Sequence, residues 1–269
     1  MESIYSLITE LEKEGKGGVL CTIIKSHGST PRHAGSKMLV FPDGQSPGSV
    51  RGGEIESRVI QEALDAYLDG KPRVLDYKLV DPEAGDPGIC GGSVEVYIEP
   101  ILPRPVVLII GGGHVGKVTC SLAKWLGFRV VVSDDRIEFC SKQFVPDADE
   151  FYPVPMQELP GIFEITPHTF VVLTTRGSNV DIEGIAPILE SPAKYIGVIG
   201  SKPRWLATRK GLIARSVSVD RLDKISSPMG LELGAETPEE IAVSIMAEII
   251  MVRNGGTGKS MKYHPSNQL

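Results

Sequence analysis

Hydrophobic positions in the second half of the chain recur in the order expected of strands that alternate with helices. The run VVLII at 106–110 is entirely apolar, which is typical of a strand buried on both faces. Further apolar runs occur in FRVVVSD, in TFVVLTT at 169–175 and in YIGVIG at 195–200, and a helical stretch follows the first run at about 114–126. This alternation predicts a parallel sheet.

The last helix of this half has sequence signals at both ends. Thr237 and Glu240 have the spacing of a capping box, and Pro238 stands at the first helical position. Gly255, followed by a second glycine, is typical of a helix end. The sequence therefore predicts a final helix that begins after Thr237.

The first half has a mixed pattern of helical and strand-like segments. Ile4, Leu7, Ile8 and Leu11 have the spacing of an amphipathic helix, which we predict over about 2–14. GEIESRVIQEALDAYLDGK predicts a second helix, and GVLCTIIKS, GSKMLVFPDG, RVLDYKL and SVEVYIE predict strands. This mixture favours a small α+β domain.

Two prolines in ILPRP are typical of a stiff, extended connector between domains. The predicted organisation is an N-terminal α+β domain at 1–100, a linker at 101–105, a Rossmann-like domain at 106–257 and a tail at 258–269. The predicted fold class is therefore α/β, with a C-terminal Rossmann-like parallel sheet and a smaller N-terminal α+β domain.

Composition and charge narrow the classes of function. The chain has 269 residues, a net charge of -6 and a pI of about 5.5, so it lacks the basic footprint of a nucleic-acid-binding protein. No apolar run approaches the roughly 18 residues of a membrane span, and the acidic N-terminal segment is unlike a signal peptide. We expect a cytoplasmic protein whose partners include neither nucleic acid nor membrane.

The four cysteines of the chain are not arranged as C-x-x-C, so we expect free thiols rather than a zinc site.

A glycine-rich loop follows the first strand of the Rossmann-like domain. In LIIGGGHVGK, Gly111, Gly113 and Gly116 have G-x-G-x-x-G spacing, and the next strand ends in Asp134 and Asp135. Such glycines permit a tight turn, a close approach to a pyrophosphate and close helix packing. Asp134 is placed to accept hydrogen bonds from ribose hydroxyls, and its charge disfavours a 2'-phosphate, so NAD or another nucleotide is favoured over NADP. The alternative is a Rossmann fold that binds no nucleotide.

Other polar residues are predicted to lie at the same edge of the sheet. Thr175 and Arg176 follow one predicted strand, and Gly200 and Ser201 follow the next. His114 lies within the glycine loop and is a further candidate contact. The alternative for each of these residues is a solvated surface position.

Glycines in the first half surround a single cysteine. Cys90 stands between glycines in DPGICGGSVEV, where the backbone can come close to a ligand. A second glycine-rich segment precedes the predicted helix that begins near Glu54, which suits an anion. The candidate binding residues of these two segments are Arg51, Gly52, Gly53, Gly91 and Gly92.

Several of these segments together resemble the XdhC/CoxI family, the xanthine dehydrogenase accessory factors. The resemblance runs across most of the chain and is carried by GSTPRHAGSKMLV, GSVRGGEIE, GICGGSVEVYIEP, LIIGGGHVGK, VVSDDR, TTRGSNVD, YIGVIGSK and PMGLELGAETPEEIAVSIMAEII. The last segment is unlike the end of a generic Rossmann dehydrogenase.

The resemblance implies a helper protein for a molybdenum enzyme. It implies binding of a molybdenum cofactor of the molybdopterin type, exchange of its terminal oxo ligand for sulfur, and delivery to a xanthine dehydrogenase-like molybdenum hydroxylase. Cys90 matches the family's cysteine and would serve as the metal- or sulfur-binding residue. A sulfur-donating cysteine desulfurase is a candidate second partner, and a homodimer is the expected assembly.

Two positions depart from the pattern of many relatives. This chain has Glu54 where they carry a cysteine, and Ser178 where they carry a histidine. Loss of the first thiol weakens a mechanism that uses two cysteines. These departures leave open a variant maturation system, or a nucleotide-binding protein without sulfur chemistry. Two other functions also stay open: an NAD-dependent oxidoreductase, which rests on the glycine loop and Asp134, and a scaffold module with an empty Rossmann fold.

Overall fold

The chain divides into two units, Met1–Pro103 and Arg104–Leu269. A computed structural model describes residues 3–27, 33–50, 53–78 and 92–262. Among these residues, no helix combines the length and the apolar character needed to cross a bilayer.

The N-terminal unit is an antiparallel sheet with helices. Its elements are α1 (Ile4–Glu14), β1 (Gly18–His27), β2 (Lys37–Val40), α2 (Glu54–Asp69), β3 (Arg73–Lys78) and β4 (Ser93–Ile101). The four strands are ordered β2-β1-β4-β3, and every neighbouring pair is antiparallel. Cys21 of β1 is fully buried among residues that include Val59 and Ala63 of α2, so this thiol is part of the core, as its apolar strand predicted.

The C-terminal unit is a parallel sheet with helices, which confirms the predicted fold class. Its elements are β5 (Val106–Ile110), α3 (His114–Trp125), β6 (Arg129–Ser133), β7 (Glu150–Tyr152), β8 (Thr169–Leu173), α4 (Ser178–Leu189), β9 (Tyr195–Val198), α5 (Lys202–Ala214), α6 (Val219–Leu222) and α7 (Pro238–Asn254). Two short 3-10 helices cover Ile137–Phe139 and Met156–Gly161.

The five parallel strands are ordered β7-β6-β5-β8-β9. All five residues of β5 are buried, since Val107 and Ile109 belong to one core cluster while Leu108 belongs to the other. The chain leaves β5 in one direction along the sheet and returns to pair with β8 on the other side. This reversal of strand order creates a crevice beyond the carboxyl ends of β5 and β8, where ligands of such folds bind.

The segment before α7 is fixed to the edge of the sheet. Met229 donates its backbone N–H to the carbonyl of Val198 in β9, at 3.2 Å. Glu248 of α7 accepts hydrogen bonds from the Tyr195 hydroxyl and from the Gly230 amide, the latter at 2.6 Å. These bonds attach the final helix to β9 and to the loop that precedes it.

Removal of the cap of α7 should weaken the C-terminal unit. The Thr237 hydroxyl accepts a hydrogen bond from the Glu240 amide at 3.2 Å, and the Glu240 carboxylate accepts one from the Thr237 amide at 3.1 Å. Thr237→Ala leaves the Glu240 amide without its cap and should lower the free energy of unfolding by about 1 kcal/mol in urea titrations. Thr257→Ala, in the exposed segment after α7, is the control and should have no measurable effect. Equal losses in the two variants would show that the cap contributes nothing specific.

Candidate functional site

A cleft lies at the carboxyl ends of β5, β6 and β8 and has a volume of about 220 Å³. It brings together five residues predicted from the sequence, namely Gly111, Asp134, Asp135, Thr175 and Arg176. Other walls are formed by Arg136, Val154, Pro155, Met156, Gln157, Val180 and Glu183. The cleft is thus lined by both charged and apolar side chains, and we call its charged edge, formed by Asp134, Asp135, Arg136 and Arg176, the mouth.

The glycine loop is closely packed on one side and open on the other. Gly111 has φ of +111°, and its carbonyl accepts a hydrogen bond from the Thr174 hydroxyl at 2.6 Å. A Cβ on Gly116 would lie 2.0 Å from that same carbonyl oxygen. A Cβ on Gly113 would meet nothing within 4 Å. Gly116 is therefore required for packing, whereas Gly113 faces open space, and neither glycine is among the residues that line the cleft.

Helix α3 begins at this open space. Its N-cap residue, Gly113, has no side chain that could cap the helix, so the first amides and the positive end of the helix dipole are available to an anion. His114 is the first residue of the helix and is exposed. His114 is not among the residues that line the cleft.

Alanine substitution should affect stability at Gly116 but not at Gly113. Gly116→Ala forces a Cβ onto a backbone oxygen and should cost at least about 2 kcal/mol of unfolding free energy. Gly113 has an ordinary φ of -60°, and a Cβ there would lie in open space, so Gly113→Ala should be as stable as the parent. If the space beside Gly113 receives a ligand, the same variant should weaken binding. Urea unfolding of the two variants tests the effect on stability, and ligand titration of Gly113→Ala tests the effect on binding. A Gly116→Ala protein as stable as the parent would contradict the packing role of Gly116.

Asp134 is buried and fully engaged with its own chain. Its carboxylate accepts hydrogen bonds from the Gly112 amide at 2.9 Å and from Arg136 through the amide, Nε and Nη2 at 3.0, 2.9 and 2.8 Å. A carboxylate has about four lone-pair positions, so these donors use its acceptor capacity. The sequence predicts ribose hydroxyls as its partners. In the structure, Asp134 joins the glycine loop to Arg136.

Asp135 forms a forked ion pair with Arg176. Both guanidinium Nη atoms donate to the carboxylate, with Nη2 to Oδ2 at 2.8 Å, and this pair links the ends of β6 and β8. The hydrogen bond from Arg176 holds the pKa of Asp135 at about 2, below its usual range. Asp135 therefore stays ionised far into the acid range, and Arg176 has a charged partner at any ordinary pH.

A buried network behind the cleft includes a residue that the sequence analysis missed. Asp181 of α4 is fully buried and accepts hydrogen bonds from the Thr175 hydroxyl and from Arg204 Nη2, the latter at 2.9 Å. Arg204 also donates to Thr175 Oγ1 at 2.9 Å. The available signal was weak: Asp181 falls in TTRGSNVD and Arg204 in IGSKPRW, but nothing in their spacing pairs them.

Gly200 and Ser201 support this network and do not line the cleft. Ser201 caps α5 by accepting a hydrogen bond from the Arg204 amide at 3.4 Å. Gly200 has φ of +145°, and a Cβ there would lie 2.7 Å from Cδ of Arg204. Both residues therefore help to place the Arg204 side chain.

The Arg204–Asp181 pair should matter far more than a similar exposed pair on the same helix. Arg204→Met leaves the Asp181 carboxylate buried without its cation and should cost about 3–5 kcal/mol of unfolding free energy. Arg209→Met breaks a pair with Asp223, whose side chain is 61% exposed, and should cost below about 1 kcal/mol. Urea unfolding of both variants measures the difference. Similar losses would show that the buried pair does not hold the edge of the sheet together.

Predicted site residues of the N-terminal unit are only partly described. Arg51, Gly52, Cys90 and Gly91 lie outside the described residues. Gly53 is the N-cap of α2, with φ of +71° and no side-chain cap, and Gly92 lies just before β4. Within the described ranges, no three His, Cys, Asp or Glu side chains are grouped so as to hold a metal ion.

The parallel sheet and the glycine loop define a Rossmann-type unit, preceded by an α+β unit. Residues 107–249 match the XdhC Rossmann domain, and residues 11–78 match the XdhC and CoxI family. The chain belongs to the XdhC and CoxI family, which confirms the resemblance seen in the sequence.

Two relatives are similar over long stretches of this chain. The uncharacterized protein YqeB of Escherichia coli is 32% identical over 272 residues, covering 98% of this chain and 49% of YqeB. A probable xanthine dehydrogenase subunit from Bacillus subtilis is 32% identical over 161 residues, covering 60% of this chain and 47% of the relative. The chain thus spans about half the length of these two relatives.

Two further similarities cover most of both proteins. The molybdenum cofactor insertion chaperone PaoD of Escherichia coli is 24% identical over 283 residues, which is 93% of this chain and 88% of PaoD. A crystal structure described as a xanthine dehydrogenase from Bacillus halodurans is 25% identical, covers 98% of both chains and gives a TM-score of 0.51.

Proposed function

We propose that this chain is an accessory factor that binds the molybdenum cofactor and supports its insertion into a xanthine dehydrogenase-type molybdenum hydroxylase. The observation that carries the proposal is the similarity to PaoD over 93% of this chain and 88% of that chaperone. The similarity to a probable xanthine dehydrogenase subunit supports the choice of partner.

The described residues suit the anionic end of such a cofactor. A molybdopterin carries phosphate, and the site offers the uncapped amides of α3 beside the open space at Gly113. Arg136 and Arg176 add guanidinium donors at the mouth of the cleft. The role of the glycine loop is to hold the phosphate, and apolar residues such as Val154 and Met156 exclude water from one wall.

The metal end of the cofactor is assigned to Cys90. Burial raises the pKa of Cys21 and of Cys120 to about 12 and raises that of Cys140, so these three thiols stay protonated and unreactive. When bound, the cofactor would supply a molybdenum centre that can accept a terminal sulfur ligand. Cys90 would face that atom or carry the sulfur, which a cysteine desulfurase would donate.

The departures at Glu54 and Ser178 concern the sulfur chemistry of the proposal. They are the first residues of α2 and α4, so both stand at helix N-termini. Since Glu54 replaces a thiol, sulfur handling is assigned to Cys90 without a second cysteine. The proposal also places the protein in the cytoplasm as a homodimer, in which pairing would add walls to each cofactor site.

Mass spectrometry and metal analysis can test this function. The parent, Cys90→Ala and Cys140→Ala are purified anaerobically from a molybdenum-replete host, and maturation of a co-expressed hydroxylase is measured in parallel. We expect pterin and molybdenum with the parent and with Cys140→Ala, and loss of both from Cys90→Ala together with poorer maturation.

Other outcomes would point elsewhere. A Cys90→Ala variant that supports maturation as well as the parent would contradict the cysteine role. NAD bound equally by all three proteins, with a substrate-dependent change in NADH absorbance, would support the oxidoreductase alternative, which rests on the glycine loop.

A further inference from the structure

At the mouth of the cleft, the acceptor capacity of Asp134 is already used by donors of its own chain. Asp134 accepts four hydrogen bonds from Gly112 and Arg136, and its side chain is 2% exposed. Both oxygens of Asp135 accept from Arg176. A ribose hydroxyl that approached Asp134 would have to displace a donor that already holds it, whereas the Asp135 carboxylate is 38% exposed and keeps acceptor capacity beside Arg176.

Arg136 is the more exposed partner of the buried Asp134. Its side chain is 32% exposed, while that of Asp134 beneath it is 2% exposed. Nε and Nη2 of Arg136 face Asp134, and the guanidinium lies over the ring of Phe139 at 4.0 Å. Within the part of the chain that the structure describes, Nη1 has no acceptor. The group is thus held in place on two sides and presents a free donor.

The charges around Arg136 come from three elements. Asp134 and Asp135 at the end of β6 are compensated by Arg136 and by Arg176 at the end of β8. Glu183 of α4 is exposed and lines another wall of the cleft. The guanidinium side of the mouth is therefore charge-balanced before a ligand binds, and the repulsion of phosphate expected from Asp134 is offset there.

We propose that Arg136 is a ligand-contacting residue that binds a phosphomonoester group, and that Asp134 is a positioning residue that holds Arg136 and the glycine loop. This inference rests on the proposed function, because it concerns the same cleft. A guanidinium held over an aromatic ring is a suitable donor for phosphate oxygens. The phosphate could belong to a pterin phosphate or to the 2'-position of a nucleotide, since both present the same dianion.

Three adenosine probes separate ribose reading from phosphate binding. Calorimetry with the full chain compares AMP, 2'-deoxy-AMP and adenosine 2',5'-bisphosphate. We expect AMP and 2'-deoxy-AMP to have equal Kd, and the bisphosphate to bind at least about tenfold more tightly, as one charge-assisted contact would give. A pterin pair, 6-hydroxymethylpterin and its phosphate ester, shows whether the same preference extends to a pterin.

Substitutions at Arg136 and Asp134 test which residue causes the tighter binding of the bisphosphate. Arg136→Gln should abolish the advantage of the bisphosphate, and Arg136→Lys should restore part of it. Asp134→Asn should weaken all three adenosine probes, because it loosens the glycine loop, and should reduce the advantage of the bisphosphate, because Arg136 is no longer held. AMP and 2'-deoxy-AMP should stay equal to each other, because no ribose contact is removed. Arg209→Gln, an arginine of α5 that does not line the cleft, is the matched control and should bind like the parent.

Contrary results are distinguishable from failure of the accessory function. If AMP binds more tightly than 2'-deoxy-AMP and Asp134→Asn removes that difference, Asp134 reads the ribose and the inference is wrong. Absence of bisphosphate binding, or an advantage that survives in Arg136→Gln, also overturns it. Each of these three results leaves the measurements of cofactor content and hydroxylase maturation unaffected. Failure of those measurements alone would overturn only the accessory function.

Discussion

The close packing of the glycine loop is the constraint on which the rest of the cleft depends. A Cβ on Gly116 would lie 2.0 Å from the carbonyl oxygen of Gly111, and one on Gly112 would lie 2.0 Å from that of Phe139. The loop is therefore confined between the start of α3 and the segment that follows β6. Because it lies so close to both, its Gly112 amide reaches Asp134, and the start of α3 opens towards the ligand space.

Three aspartate–arginine pairs then fix the surrounding segments. Asp134 pairs with Arg136 beside the loop, Asp135 joins β6 to β8 through Arg176, and the buried Asp181 joins α4 to α5 through Arg204. Burial of such pairs contributes little net stability, because desolvation offsets much of the attraction. Their effect is geometric: each pair holds a guanidinium in one orientation at an edge built from separate strands and helices, so the mouth of the cleft is organised before a ligand arrives.

The arrangement differs from an ordinary NAD-binding Rossmann site in one chemical respect. The acid after the second strand is present, but its acceptors face the protein, and a cation takes its place at the surface. The molybdenum cofactor proposed as the ligand carries an anionic phosphate, which suits the partly exposed guanidinium of Arg136. In this proposal the cleft concerns the phosphate end of the cofactor and Cys90 its metal end.

The sequence by itself determined most of the strands, the first and last helices and the nature of the loop. A strand buried on both faces must be apolar throughout, so VVLII predicted β5, and the Thr237–Glu240 spacing predicted the start of α7. Glycine spacing predicted the loop because few other residues fit there. The spacing could not show that Asp134 is already paired, since both an exposed and a buried acid satisfy the motif.

Only the tertiary structure decided which polar residues meet. Arg176 and Asp135 are 41 positions apart, and Arg204 and Asp181 are 23 apart, so their contacts depend on strand order and on the phase of α4 and α5. Strand order and helix orientation do not follow from the local hydrophobic pattern, because the same strands in another order would bring different loops together. The sequence therefore predicted a binding edge, and the strand order decided which side chains form it.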